Sequence, residues 1–277
     1  MQVGIFAKTF PGSDPVTVMV ASAAAGFDGV QYNMACSGLA SMPDAISKNV
    51  TDAIAGASRQ TGQQVFAVSG TYNMAHPDPL IRAEGLARLK VLAQSCSAMG
   101  TGLITLCTGT RDTEDQWRHH PDNGSAEAWR DMTGSFETAV AIAEAHGILL
   151  GVEPELANVV NSADAARRLI DELRSDSIRI VLDPANLFER AGADERQRLI
   201  EHAVDTLADR IVMAHAKDRH PDGSFATAGT GVVDFGHFIS ALHRAGFDGP
   251  LVTHGLAAHE AASVAAFLRR QLEMATP

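Results

Sequence analysis

Four segments of the sequence end an apolar, β-type run in a side chain able to hold a metal ion. They are Gly-Val-Glu153-Pro-Glu, Val-Leu-Asp183-Pro-Ala-Asn, Met-Ala-His215-Ala-Lys-Asp and Val-Thr-His254-Gly-Leu. Two carboxylates and two imidazoles make a donor set for a divalent cation. One polar residue after an apolar run is commonplace, because it can simply cap a strand or open a loop. Four in succession carry more weight if the strands behind them are neighbours in a parallel barrel. The C-terminal strand ends of such a barrel converge on one active face.

The elements that must position these residues are readable along the chain. Strand patterns fall at residues 3–7, 29–33, 65–70, 103–107, 148–153, 178–183, 211–215 and 250–254, and helical patterns at 14–25, 43–60, 79–99, 125–146, 162–173, 194–208, 234–245 and 258–273. Asp14-Pro15, Pro43-Asp44, Pro79, Ser125 and Ser162 suit helix N-termini. Gly26, Gly62, Gly100, Gly147 and Gly246 stand where a helix should stop before the next strand. Eight strands alternating with helices predict an α/β fold, a (β/α)8 TIM barrel forming one domain over residues 1–277. An open doubly wound sheet is disfavoured, because no GxGxxG or phosphate loop follows the first strand.

Composition narrows the function classes. A hydrophobic fraction of 45% with 20% charged residues describes an ordinary globular chain. The net charge of −11 opposes nucleic acid or an anionic membrane as partner. Cys36, Cys96 and Cys107 are odd in number, scattered and without a CxxC, which predicts reduced thiols in or near the core of a cytoplasmic protein. The N-terminal Met-Gln-Val-Gly-Ile-Phe-Ala runs directly into a strand pattern, so no export signal is expected. No apolar run approaches the length of a membrane span.

The Glu…Asp…His order on strands five to seven, with the His-x-Lys-Asp turn, resembles the xylose isomerase-like TIM-barrel superfamily, in particular its sugar phosphate isomerase/epimerase group. The stretches carrying the resemblance are residues 69–79, 106–112, 117–123 and 153–158. The resemblance implies carbohydrate metabolism, a small sugar substrate, and Glu153, Asp183 and His215 as ligands of a divalent metal. It also implies possible homo-oligomers. Ketose 3-epimerases of the superfamily end their eighth strand in a glutamate that is both ligand and acid/base, whereas this chain has His254 there.

Two consequences follow from that departure. With two carboxylates and two imidazoles, a divalent site is roughly neutral instead of carrying about −1, which strengthens the ion as a Lewis acid. Mixed N/O ligation points to manganese first, with zinc, cobalt and iron as alternatives, and away from magnesium. The second consequence concerns mechanism. Inverting a carbon with two bases needs carboxylates on opposite faces, and one is missing. Single-base chemistry suits the chain better. Candidate bases are Glu153 (ranked first by resemblance), Glu155, Lys217 and an unligated His254.

Loop residues are expected to shape the substrate pocket. Lys217 suits a hydroxyl or phosphate, with a surface ion pair beside Asp218 as the plainer reading. Glu155, Asn158 and Asn186 are expected to act as hydroxyl or ligand partners, Asn186 standing where relatives often carry histidine. His76 belongs to a His-Pro-Asp-Pro helix start and is either a pocket or a turn residue. Arg111, Trp117, Arg118, His119 and His120 crowd a long loop at 108–124, and an indole beside polar donors suits a sugar.

The leading expectation is a metal-dependent isomerase or epimerase that removes a proton α to a metal-polarised carbonyl of a small sugar or keto-polyol. The alternative is a lyase or dehydratase performing β-elimination on a keto-sugar at the same site. A DNA-repair endonuclease is disfavoured by acidity and by Asn186 in place of a zinc-binding histidine. A decayed, non-enzymatic barrel rests only on the His254 change.

Overall fold

The computed structural model describes residues 1–275. Eight parallel strands close into a barrel: β1 (Gln2–Phe6), β2 (Gly29–Tyr32), β3 (Gln64–Ser69), β4 (Leu103–Cys107), β5 (Leu149–Glu153), β6 (Ile178–Leu182), β7 (Ile211–Ala216) and β8 (Pro250–Thr253). Each neighbours the next in sequence, and β8 pairs with β1 through Gln2↔Pro250 to Ile5↔Thr253. The helices are α1 (Pro15–Ala24), α2 (Lys48–Thr61), α3 (Pro79–Met99), α4 (Ala126–His146), α5 (Ala163–Leu173), α6 (Ala193–Leu207), α7 (Phe235–Arg244) and α8 (Ala261–Ala275). The architecture is the expected (β/α)8 barrel. The last two residues of the expected domain lie outside the described residues.

Local chemistry explains most boundaries. Asp14, Asp78, Ser125 and Ser162 cap helices by accepting backbone N–H groups through their side chains. Gly100 and Gly147 end α3 and α4 in the left-handed region, with φ of 85° and 63°. Two starts are misplaced: α2 begins at Lys48 and not at Pro43-Asp44. Asp44 is drawn instead to Arg88, its Oδ1 lying 2.8 Å from Nε. α8 likewise starts at Ala261, after a 3-10 turn at Ala258–Glu260. Several strands end one residue sooner than the pattern predicts, because Ala7, Asn33 and Asp183 open or cap 3-10 turns. A short antiparallel ribbon, Asp218–Arg219 with Phe225–Ala226, has no counterpart in the expected elements. Its strands are too short to show periodicity.

Alternation along the strands decides what faces inward. Ala67, Leu103, Val181, Met213 and Val252 form a separate apolar cluster inside the barrel, with Phe66, Leu149 and Val212 packed against it. Gly4 and Gly29 leave room for Phe66, whose ring atoms lie 2.8 Å from where a Cβ would stand at either position. Two residues on from Val181, Met213 and Val252, on the same face, come Asp183, His215 and His254. A larger shell of apolar side chains packs the strands' outer faces against the helices. Cys36, Cys96 and Cys107 are free and buried, as expected.

Candidate metal centre

The inward face of the strand ends brings the four singled-out residues together. Ligand atoms of Glu153, Asp183, His215 and His254 all lie within 4.8 Å of one another. Around an ion at a bond length of about 2.1 Å, donors are separated by roughly 3.4 Å (tetrahedral) to 4.2 Å (trans octahedral). The donor set therefore fits a divalent cation in chemistry and comes close to it in spacing.

Register accounts for the convergence. Leu182 is level with Ala214 across β6 and β7, so Asp183 stands level with His215. Val252 is level with His215 across β7 and β8, and His254 follows two residues later on the same face. Val212 is an extra residue in β7 at this point, a bulge between the partners of Ile180 and Val181.

The four side chains fall into two carboxylate–imidazole contacts. His215 Nδ1 lies 3.0 Å from Glu153 Oε1, and His254 Nε2 lies 3.1 Å from Asp183 Oδ2. The two imidazoles are themselves neighbours, with ring centroids 4.5 Å apart. Their protonation differs. Burial works against the charged form of His215, but the Glu153 charge outweighs it and holds that imidazole above its ordinary value. For His254, burial and then the neighbouring His215 charge depress the value, leaving a neutral ring. Burial also opposes ionisation of Glu153 and Asp183, yet their histidine partners keep both carboxylates below the ordinary range.

A further layer of side chains orients this set. Asn186 Nδ2 donates to Glu153 Oε1 over 2.9 Å. Asp183 Oδ1 accepts from Ala185 N at 2.9 Å, fixing the carboxylate as the cap of the turn Pro184–Asn186. On the far side, Gln31 Oε1 accepts from His215 Nε2 at 2.8 Å, while Gln31 Nε2 donates to Thr105 Oγ1 at 3.0 Å. With Nε2 engaged by Gln31, Nδ1 faces Glu153, and loss of the Nδ1 proton would turn its lone pair toward the other three side chains. Gln31 and Thr105 were not anticipated from the sequence. The available signal was a polar residue in each of two apolar strands whose alternation aims it inward.

Above the four side chains opens a cavity of about 720 Å³. Glu155, Asn186, Lys217 and Trp117 line it, together with Lys8, His119, Glu189, Arg219 and Phe225. Burial first, and the Glu153 charge second, push the Glu155 carboxyl up to about 8. Lys217 is not a surface ion-pair partner of Asp218: its Nζ sits 3.3 Å from the Phe225 ring centroid. Asp218 is fully buried, and its carboxylate accepts from the backbone N–H of Arg219, Gly229, Gly231 and Val233. Glycine is required at 231, where a Cβ would fall 2.1 Å from Arg219 O.

Three residues expected at the pocket lie away from it. Arg111 turns outward: its guanidinium meets Asp131 at 2.6 Å and also bonds Ala75 O and Glu127. His76 is a turn residue whose Nδ1 accepts from Asp78 N, and it lines a separate groove with Tyr72 and Arg88. Asn158 is buried behind the cavity, where its Oδ1 accepts from Gly109 N at 2.7 Å and ties the β5 loop to the β4 loop. Half-exposed Trp117 stands on the ridge between groove and cavity.

Solved structures with this fold include 3-keto-D-glucoside 4-epimerase from E. coli, at 18% identity with a TM-score of 0.78, over 98% of this chain and 99% of that one. L-ribulose 3-epimerase gives 18% identity and a TM-score of 0.78, over 99% of this chain and 95% of the other. D-psicose 3-epimerase from Clostridium cellulolyticum H10, solved with D-tagatose, gives 17% identity and a TM-score of 0.77, over 98% and 99%. No curated protein matches the sequence. The family model described as xylose isomerase-like TIM barrel matches residues 19–271. The chain, whose strand ends gather Glu153, Asp183, His215 and His254, belongs to the xylose isomerase-like TIM-barrel family.

Proposed function

We propose that this protein is a divalent-metal-dependent isomerase or epimerase acting on a small sugar or keto-polyol by removal of a proton α to a carbonyl. The observation that carries the reading is the approach of four ligand atoms to within 4.8 Å at the floor of a sugar-sized cavity. The fold shared with ribulose, psicose and 3-keto-glucoside epimerases supports it. Glu153, Asp183, His215 and His254 would hold the ion. When bound, a divalent cation there supplies Lewis acidity that lowers the pKa of a carbon acid beside the carbonyl.

The chain's own residues supply the remaining parts. Glu153, kept ionised by His215, is the first candidate to accept the proton, and neutral His254 is the second. In the metal-free site burial and the Glu153 charge push the Glu155 carboxyl up to about 8, which makes it the candidate to donate a proton where Glu153 accepts. Trp117 and His119, at the rim, present a flat apolar face and a polar donor for a sugar ring.

A protonated Glu155 also favours a second reading, β-elimination, in which it would protonate a departing hydroxyl. NMR of reactions in deuterated water separates the two: isomerisation keeps the substrate's mass apart from exchange, whereas elimination releases water. For either reading, chelation should abolish turnover of a ketose and keto-sugar panel, and manganese or cobalt should restore it. Turnover indifferent to chelators would sink the proposal.

A further inference from the structure

Lys217 and Arg219, two of the cations that line the cavity, make no ion pair within 4.0 Å with a carboxylate of the described residues. Arg219 is 7% exposed, yet its guanidinium meets only neutral backbone carbonyls, Nε donating to Ala185 O and Nη1 to Gly223 O. Its Nη2 makes no hydrogen bond to any described residue, although Arg219 lines the cavity. Lys217 stands beside it. Phe225 holds both, with Lys217 Nζ 3.3 Å and Arg219 Cζ 4.1 Å from the same ring centroid.

This grouping is unfavourable by itself. Like charges gathered on one ring repel, and a buried guanidinium normally has a carboxylate partner. Asp183, Glu189 and Glu155 act on Arg219 from a distance, and Asp183 and Glu155 on Lys217, but none comes within 4.0 Å of either cation among the described residues. Asp218 is adjacent in sequence, but backbone N–H groups fully engage it. The fork of Arg219 is fixed by the two carbonyls and by the ribbon it belongs to, so it is pre-set for a planar or tetrahedral oxyanion.

We propose that Lys217 and Arg219, displayed on Phe225, form a subsite for an anionic group of the substrate, a phosphate or a carboxylate. The ligand of this cavity is then an acidic sugar derivative and not a neutral ketose. The inference rests on the reading of the cavity as a sugar site. At about 720 Å³ the cavity has room for a monosaccharide bearing one such group.

The test is calorimetric titration of the full chain, stripped of metal with EDTA so that anions cannot bind through an ion. The ligands are inorganic phosphate, D-fructose, D-fructose 6-phosphate and D-gluconate. The anionic sugars should bind at least tenfold more tightly than fructose, and the ratio between phosphate ester and gluconate identifies the preferred anion. Lys217→Met should remove most of the anionic advantage. Arg219→Lys, which keeps charge but not the fork, should reduce it further for gluconate than for phosphate. Equal binding of fructose and the anions, no binding of any, or an anionic advantage untouched by Lys217→Met would overturn the proposal. A separate Mn2+ titration of the wild-type chain keeps the two readings apart. Mn2+ uptake without an anionic advantage removes this inference alone, and absence of Mn2+ uptake removes the functional reading.

Discussion

His254 Nε2 lies 3.1 Å from Asp183 Oδ2, a contact that repeats, one strand further around the barrel, the 3.0 Å approach of His215 to Glu153. The eighth-strand histidine is thus built into the carboxylate set in the manner of the seventh-strand one. If His254 ligates, His254→Ala should weaken Mn2+ binding more than tenfold. His254→Glu should retain binding but move the ranking toward Mg2+, because hard carboxylate donors replace an imidazole. Competitive titration of Mg2+ against Mn2+ measures both effects. Unchanged affinities in both variants would show that His254 is not a ligand.

Gln31 gives a second expectation about the same centre. Gln31→Leu leaves His215 Nε2 without its acceptor and should lower metal affinity by about 10- to 100-fold, the usual range for a partner behind a ligand. Gln31→Glu keeps an oxygen in place and should stay near wild type. The Co2+ absorption spectrum adds a readout of ligand geometry, which a merely structural role for Gln31 would leave alone.

Glu155 predicts a pH dependence of stability. Its carboxyl is raised from an ordinary 4.5 to about 8, burial being the larger cause. Between those values the folded chain keeps a proton that the unfolded chain has lost, so stability is fully present below 4.5 and drains away as pH rises through 8. Thermal melts of the metal-free protein should fall across that window, and Glu155→Gln should flatten the slope. An identical slope in the variant would assign the effect elsewhere.

Inside the barrel, Gly151 precedes Glu153 by two residues on the same face, and an added Cβ would lie 2.8 Å from Val181 Cγ2. Gly151→Ala should cost about 1–3 kcal/mol by overpacking, read from urea unfolding. Adding Val181→Ala should recover part of the loss, because the two positions share one space. Strict additivity of the two substitutions would contradict this packing.

The fold was legible because strand and helix periods alternate cleanly and several helices carry local caps such as Asp14 and Ser162. The four strand-end residues were legible for the same reason, since strand position alone brings them to one face. What escaped the sequence was set by long-range contact. Arg111 looks like a pocket cation, but Asp131 and Ala75 O, remote in sequence, pull it away. Arg219 carries no sequence signal that singles it out, and only the fold shows it anchored to Ala185 O and stacked on Phe225. The misplaced start of α2 has a similar origin: Asp44 satisfies a cation on α3 instead of capping its own helix.

Phe66 carries a consequence of a different kind. Its ring occupies the space left by Gly4 and Gly29 and, with Leu149 and Val212, packs beneath the apolar layer inside the strands. Among the described residues this layer closes the barrel below Glu153 and His215, and the cavity opens on the other side of them. Substrate lying in the cavity stands between those side chains and the solvent. Under the proposed function, binding would be ordered, ion before sugar, and a saturating sugar would shield the centre from chelators by slowing the exit of whatever lies beneath it.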